Sequence, residues 1–168
     1  MRFNLFKKPT SEIKFSSSEL ESAKYLESLQ KNAMRLSAID YMAKDIFKGV
    51  AEKNFAAAIK KTLNIKNITY SNKYPDIIWE EDLKSASICV TVHDYKGKDS
   101  IVIISVLNAN DLEGDVNDLQ LVIYFDKKDN DDEDKDADIR IALDECPANV
   151  KNADFIYNNA AEKLKQVL

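Results

Sequence analysis

The sequence has little of what most familiar cofactor and metal sites require. Its 168 residues include three glycines, three prolines, two cysteines and one histidine. The glycines, at positions 49, 97 and 114, are too far apart to form GxxxxGK[ST] or GxGxxG, which excludes a glycine-rich phosphate loop. One histidine and two separated cysteines exclude a histidine-rich zinc site and a CxxC metal knuckle. No cofactor and no metal ion is therefore expected.

Long apolar runs are also missing. No stretch approaches the roughly 18 apolar residues of a membrane helix. The first residues, MRFNLFKKPT, are interrupted by two lysines and a proline before a signal-peptide apolar region forms. Cys89 and Cys146 are too few for a disulfide framework. We expect a cytoplasmic protein with two structural thiols and no contact with a membrane.

What the chain does have is enough apolar material for a core. Hydrophobic residues make up 45% of it, and a chain of this length is typical of one domain. We predict a single domain over residues 1–168. Its segments are 1–16, an N-terminal arm or short strand; 17–63, helical; 65–145, mainly sheet; and 149–168, a C-terminal helix.

The helical segment begins with two overlapping capping boxes, Ser16 with Glu19 and Ser18 with Glu21. Apolar residues then recur at helical spacing as far as residue 63. One unbroken helix of that length would measure about 69 Å, far more than the roughly 40 Å diameter of such a domain. We therefore predict a break at Gly49, with helices over 18–48 and 51–63.

Downstream the period changes from 3.6 to 2, which predicts strands. Three strands are clear, over 87–95, 100–107 and 119–125, with a hairpin turn at 96–99 and a fourth strand around Ile139. Pro75 and Asp76 predict a short helix that carries Ile77, Ile78, Trp79 and Leu83. Asn152 or Asp154 is predicted to cap the closing helix. The fold class is α+β: N-terminal helices, a four- to five-stranded largely antiparallel sheet and a closing C-terminal helix.

The one pair of groups typical of nucleophilic catalysis is too far apart on its own strand. Cys89 and His93 share a strand face, but four strand residues span about 13 Å, whereas a thiol–imidazole dyad needs about 3 Å. A cysteine–histidine enzyme would require Cys146 to fold back onto His93. We expect instead that His93 is a partly exposed strand residue near a hairpin, and we assign no catalytic residue.

The run at 126–138, DKKDNDDEDKDAD, is the most unusual feature, with eight carboxylates in thirteen residues. Asp134, Asp136, Asp138 and Glu145 occupy positions 1, 3, 5 and 12 of an EF-hand loop. Position 6, where that loop needs glycine for a sharp turn, is Ile139. Strands are predicted on both sides, so an EF-hand is not favoured.

A second interpretation of the run is an acidic docking surface that attracts and steers a basic protein. The predicted partner-binding residues are Asp129, Asp131, Asp132, Glu133, Asp134 and Asp136. Glu80, Glu81, Asp82, Asp94, Asp111 and Asp115 would widen this field if the fold brings them near. The competing interpretation is a solvated loop whose charges only aid solubility.

Two further features are weaker. Trp79, beside Glu80 and Glu81, is interpreted as a core residue, with an interface anchor as the alternative. The helical segment is basic but contains a single arginine and lacks interleaved exposed aromatics. Direct binding of nucleic acid is therefore not expected.

At the level of class, an acidic α+β domain without a catalytic constellation resembles the small cytoplasmic immunity proteins of bacteria. The resemblance implies stoichiometric neutralisation of a toxin domain, often a basic nuclease, and it carries over no residue. The first hypothesis is therefore a non-catalytic acidic protein-binding domain of this inhibitor type. The alternatives left open are a secretion-chaperone-like or oligomeric adaptor, which would form a homodimer, and a small enzyme of unknown chemistry.

Overall fold

A computed structural model describes residues 16–70, 76–81, 83–109, 119–125, 136–144, 146–147 and 149–168. The helices are α1 (Ser17–Phe47), α2 (Ala51–Leu63) and α3 (Asp154–Val167). The strands are β1 (Ile68–Tyr70), β2 (Asp76–Trp79), β3 (Leu83–Tyr95), β4 (Lys98–Ala109), β5 (Leu119–Phe125) and β6 (Ile139–Ala142). None of the described helices combines the length and the apolar composition that crossing a bilayer requires.

Both predicted ends of the first helix are confirmed. The Ser16 backbone N–H donates to Glu19 Oε2 at 2.8 Å, and the Glu19 N–H donates to Ser16 Oγ at 3.2 Å, which is a reciprocal capping box. The helix ends at Phe47, and Gly49 follows with a φ of 70°. Glycine adopts this left-handed conformation without the Cβ clash of other residues, so it terminates α1 and lets α2 begin at Ala51.

The chain divides into two units, Met1–Lys31 and Asn32–Leu168. The described part of the first unit is the start of α1, where Leu20, Tyr25 and Leu26 are exposed. The second unit contains the rest of α1 and every other described element. The assignment of residues 1–168 to one domain stays a prediction.

The predicted α+β class is confirmed, with a largely antiparallel sheet that follows the N-terminal helices and precedes α3 in chain order. The strand order is β1-β3-β4-β5-β6, and β2 pairs with the first part of β3. The predicted short helix after Pro75 is wrong, because Asp76–Trp79 is strand β2 and Leu83 begins β3. Ile77 and Ile78 are β-branched and fit a pleated strand better than a helical turn.

One face of this sheet carries the core. Val90, Ile104 and Leu121 lie on neighbouring strands and are almost completely buried. Ile39 of α1, Phe55 of α2 and the whole inner side of α3 join them in one apolar cluster. Residues of the opposite face, such as Cys89 and Ile103, are only half-buried, and among the described residues no helix contributes to a cluster there.

A tight turn and a bulge shape the β3–β4 hairpin. Lys96 and Gly97 both have positive φ, 53° and 79°, as a two-residue type I′ turn requires, so the predicted turn is confirmed. Two β3 residues, His93 and Asp94, lie opposite the single β4 residue Asp99, which is a β-bulge. Asp94 adopts a φ of 50°, and its N–H donates to Asp99 Oδ1 at 2.9 Å.

Candidate functional site

Exposed acidic residues lie at both ends of the antiparallel sheet. At the hairpin end, where β3 turns into β4, lie Asp94, Asp99, Asp136 and Asp138. At the Trp79 end, where β2 turns into β3, lie Trp79, Glu80 and Glu81. The ends are separated by about 30 Å, the length of the nine residue steps along β4 from Asp99 to Asn108, which pairs with Lys84.

Of the six predicted partner-binding residues, the structure describes one. Asp136 is exposed and lies at the hairpin end, next to the start of β6. Asp129, Asp131, Asp132, Glu133 and Asp134 lie outside the described residues. The described residues that flank them, Phe125 and Asp136, are both at the hairpin end.

The other carboxylates were expected to widen this field if the fold brings them together, and the described members are divided between the two ends. Asp94 lies at the hairpin end, whereas Glu80 and Glu81 lie at the Trp79 end. Asp82, Asp111 and Asp115 are outside the described residues. The reason is the up-and-down course of the strands, which sends successive connections to alternate ends of the sheet.

Carboxylates at the hairpin end are partly engaged in holding the fold. Asp138 Oδ2 accepts the Phe125 N–H at 2.7 Å, and Asp99 accepts the Asp94 N–H. Asp138 follows the strand β5 and precedes β6, so it fastens the two strand ends together. These oxygens are therefore already used by backbone donors.

An EF-hand is excluded by the elements on either side of the acidic run. Leu119–Phe125 and Ile139–Ala142 are paired strands, whereas the motif requires two helices. Ile139, at the position that needs glycine, is the first residue of β6. Asp134 and Glu145 are outside the described residues, among which no group of three metal-ligating side chains occurs.

The thiol–histidine alternative is wrong as well. Cys146 is buried in a cavity of about 150 Å³, which Leu119, Ala142 and Leu143 also line. His93 lies near the other end of β5, roughly six strand residues or 20 Å from Leu119. Burial raises the pKa of the Cys146 thiol, which makes it a poor nucleophile.

The interpretation of Trp79 as a core residue is wrong. Its side chain is 57% exposed, because it ends the short strand β2 at the edge of the sheet, opposite Lys84. Lys84 Nζ lies 5.4 Å from the indole centroid and donates to the Glu80 backbone oxygen at 2.9 Å and the Glu81 backbone oxygen at 3.3 Å. The Glu80 and Glu81 carboxylates make no hydrogen bond or ion pair with any described residue.

A buried polar cluster between α1, α2 and α3 was not anticipated. Tyr157 Oη donates to Asp45 Oδ2 at 2.9 Å, and Asn54 Nδ2 lies 3.4 Å from the same oxygen. Glu52 is 1% exposed, and its Oε1 has no partner among the described groups. Burial raises the pKa of Glu52, and its own backbone N–H lowers it in part. The sequence did contain a signal for the burial of Glu52, because its spacing from the apolar Phe55 and Ile59 places all three on one face of a helix.

The comparisons with known proteins give this site no precedent. No protein-family model matches the chain, and searches of the curated proteins and of the solved structures return no significant match. The geometry of the described residues is therefore what supports a function.

Proposed function

We propose that this chain is a protein-binding domain that neutralises a basic partner by stoichiometric binding, as bacterial immunity proteins do in the cytoplasm. A toxin domain such as a nuclease is the partner class that this proposal names. The observation that supports it is the exposed indole of Trp79, which is followed in sequence by Glu80 and Glu81, whose carboxylates make no hydrogen bond or ion pair with any described residue.

An exposed tryptophan is an unusual feature of a surface because burial of its large apolar area stabilises a fold. Tryptophan is enriched among the residues that contribute most to protein–protein binding. At Trp79, Lys84 is held beside the ring by two backbone carbonyls, so the local geometry is fixed before a partner arrives. A preformed anchor loses less conformational entropy on binding.

The charges beside the anchor favour a basic partner. Glu80 and Glu81 are exposed and their carboxylates are available to arginine or lysine side chains. The chain as a whole carries a net charge of −5, so a positively charged protein is attracted from a distance. The hairpin end contributes to this long-range field, whereas the Trp79 end provides the contact.

The test is an affinity capture from the source lysate with four versions of the chain as bait. These are the wild type, Trp79→Ala, the Glu80→Gln/Glu81→Gln pair, and Tyr70→Ala. Tyr70 is the matched control, because it is a 42% exposed aromatic residue on another short strand. We expect one basic protein to be retained by the wild type and by Tyr70→Ala, at one copy per chain, and lost from the other two.

Retention of that protein by Trp79→Ala would contradict the proposed site. A specific partner that is not basic would contradict the proposed partner class. A further variant changes all six predicted residues from 129 to 136 to Asn or Gln. It measures the contribution of the acidic run to binding separately from that of Trp79, because it removes the charges of the run and leaves Trp79 in place.

A second candidate function is an oligomeric adaptor, which the half-buried sheet face favours. Ile101, Ile103 and Cys89 form an apolar strip on this face. A second copy that covers the strip would make a homodimer. Light scattering distinguishes the candidates, because the adaptor predicts a dimer and the inhibitor predicts a monomer that binds its target.

A further inference from the structure

Three polar side chains from three strands converge at the hairpin end of the sheet. Thr69 Oγ1 of β1 lies 2.8 Å from His93 Nε2 of β3. The other imidazole nitrogen, Nδ1, lies 3.7 Å from Asp99 Oδ2 of β4, within ion-pair distance. The order of atoms is hydroxyl, imidazole and carboxylate, which is the order in which a hydroxyl nucleophile is activated.

The Asp99 carboxylate lies 3.7 Å from Nδ1, longer than a hydrogen bond, so it acts on the imidazole through its negative charge. A negative charge on this side of the ring favours the neutral tautomer of His93 that carries its proton on Nδ1. Nε2 is then left with a lone pair that faces the Thr69 hydroxyl. In this tautomer His93 is the acceptor of the Thr69 proton.

The backbone holds the three groups in place from both sides. The His93 N–H donates to the Asn67 carbonyl at 3.0 Å, which fastens β3 to the residue before β1. The bulge at His93 and Asp94 sets these two residues against Asp99, whose Oδ1 accepts the Asp94 N–H. Thr69 is exposed, so a reagent reaches its hydroxyl directly from solvent.

We propose that Thr69 is a nucleophilic hydroxyl that accepts an acyl group from activated acyl esters, with His93 as its general base and Asp99 as a positioning residue. Thr69 Oγ1 forms a bond to the acyl carbon while its proton passes to His93 Nε2. The bond from the acyl carbon to the leaving oxygen breaks, and the leaving group takes the proton from Nε2. The product is an O-acyl threonine, and water then releases the carboxylic acid. This inference does not rest on the proposed binding function.

The chain offers a matched control in Thr91. It lies directly opposite Thr69 in the β1–β3 pair and on the same face, but its hydroxyl makes no hydrogen bond with a described imidazole or carboxylate. Thr69→Val and Thr91→Val each remove one hydroxyl and keep a β-branched side chain suited to a strand. A difference between them therefore reports the contact with His93.

The probe is p-nitrophenyl acetate, with release of p-nitrophenolate followed in time and the acetyl group located by peptide mass spectrometry. We expect a burst of one equivalent per chain in the wild type and in Thr91→Val, with the acetyl group on Thr69. Thr69→Val should abolish the burst, and His93→Gln should slow it by about 100-fold or more, the contribution typical of a general base.

Asp99→Asn should slow the burst by about tenfold and move the proton of His93 from Nδ1 toward Nε2 in ¹⁵N NMR spectra, with the backbone amide spectrum showing that the fold is retained. A burst that survives in Thr69→Val would show that a group other than the Thr69 hydroxyl is acylated and would overturn the proposal. Acetyl groups on lysines and Thr91 to the same extent as on Thr69 would overturn it as well.

Discussion

The two ends of the sheet are both acidic, but only one of them carries an exposed tryptophan. At the hairpin end, Asp99 and Asp138 accept backbone N–H groups, and the side chains there serve the turn, the bulge and the β5–β6 connection. At the Trp79 end, the Glu80 and Glu81 carboxylates have no partner in the described fold and follow the half-exposed Trp79 in sequence.

This difference shows why charge density alone does not locate an interface. Exposed charges are screened over about 8–10 Å of physiological salt solution, so they guide approach more than they hold a complex. Binding free energy comes mainly from a few buried aromatic or arginine anchors. We therefore place the contact at Trp79 and assign the denser charge of the 126–138 run to attraction.

The largest expected effect is on binding by Trp79→Ala. Loss of a tryptophan anchor typically costs about 2 kcal/mol or more, or roughly 30-fold in Kd. Titration calorimetry with the captured partner measures this loss. Unfolding by urea should differ from the wild type by less than about 0.5 kcal/mol, as for surface changes generally. An unchanged Kd would contradict the claim that the Trp79 end, and not the hairpin end, provides the contact.

A smaller effect is expected from neutralising the carboxylates at each end separately. Glu80→Gln with Glu81→Gln should weaken binding about tenfold at low salt, and the loss should shrink at high salt because the interaction is screened. Asp94→Asn with Asp136→Asn is the control and should change mainly the association rate. Equal losses of affinity from both pairs would show that the two ends contribute alike.

The hairpin end is instead expected to affect stability. Asp138→Ala removes the acceptor of the Phe125 N–H and should lower the free energy of unfolding by about 1 kcal/mol, the usual value of such a bond. Asp136→Ala, two residues earlier and also exposed, should change it by less than about 0.5 kcal/mol. Urea denaturation of both variants provides the measurement, and equal values would contradict the structural role of Asp138.

The carboxylate of Glu52 is buried, unlike the exposed carboxylates at either end of the sheet, and it should make stability depend on pH. Burial raises the pKa of Glu52 above its ordinary value of 4.5, so the folded state binds its proton more tightly than the unfolded state. Stability from this group therefore rises as pH falls from neutral through the raised pKa, and it levels off near pH 4.5.

Glu52→Gln should remove that part of the pH dependence. At neutral pH its net effect should be under about 1 kcal/mol, because relief of the buried charge is offset by loss of a carboxylate at the start of α2. Thermal unfolding at several pH values checks the slope. A variant with the slope of the wild type would show that Glu52 does not titrate in this range.

The sequence predicted the fold well where local signals agreed with the tertiary structure. The Ser16–Glu19 capping box, the break at Gly49 and the Lys96–Gly97 turn each depend on a few neighbouring residues, and all are confirmed. The α+β class followed from the change of period near residue 65. Local chemistry could not show that Asp76–Trp79 pairs with the first part of β3, because that pairing depends on the turn between them.

The sites were harder to predict because they depend on which residues the topology brings together. Trp79 follows two isoleucines and therefore resembled a core residue, yet its position at the sheet edge leaves it exposed. His93 was compared with the cysteines, whereas its contacts are Thr69 and Asp99, 24 residues before and six after it in sequence. The β-bulge places Asp99 opposite His93, and no pattern in the sequence predicted this bulge.

The most direct test of the central claim uses the fact that the chain contains a single tryptophan. Incorporation of 5-fluorotryptophan gives one ¹⁹F resonance, and that resonance reports the environment of Trp79 alone. Addition of the unlabelled captured partner should shift the resonance and remove its sensitivity to solvent isotope, with saturation at one equivalent. A partner that binds stoichiometrically while this resonance stays unchanged and exposed to solvent would contradict the account.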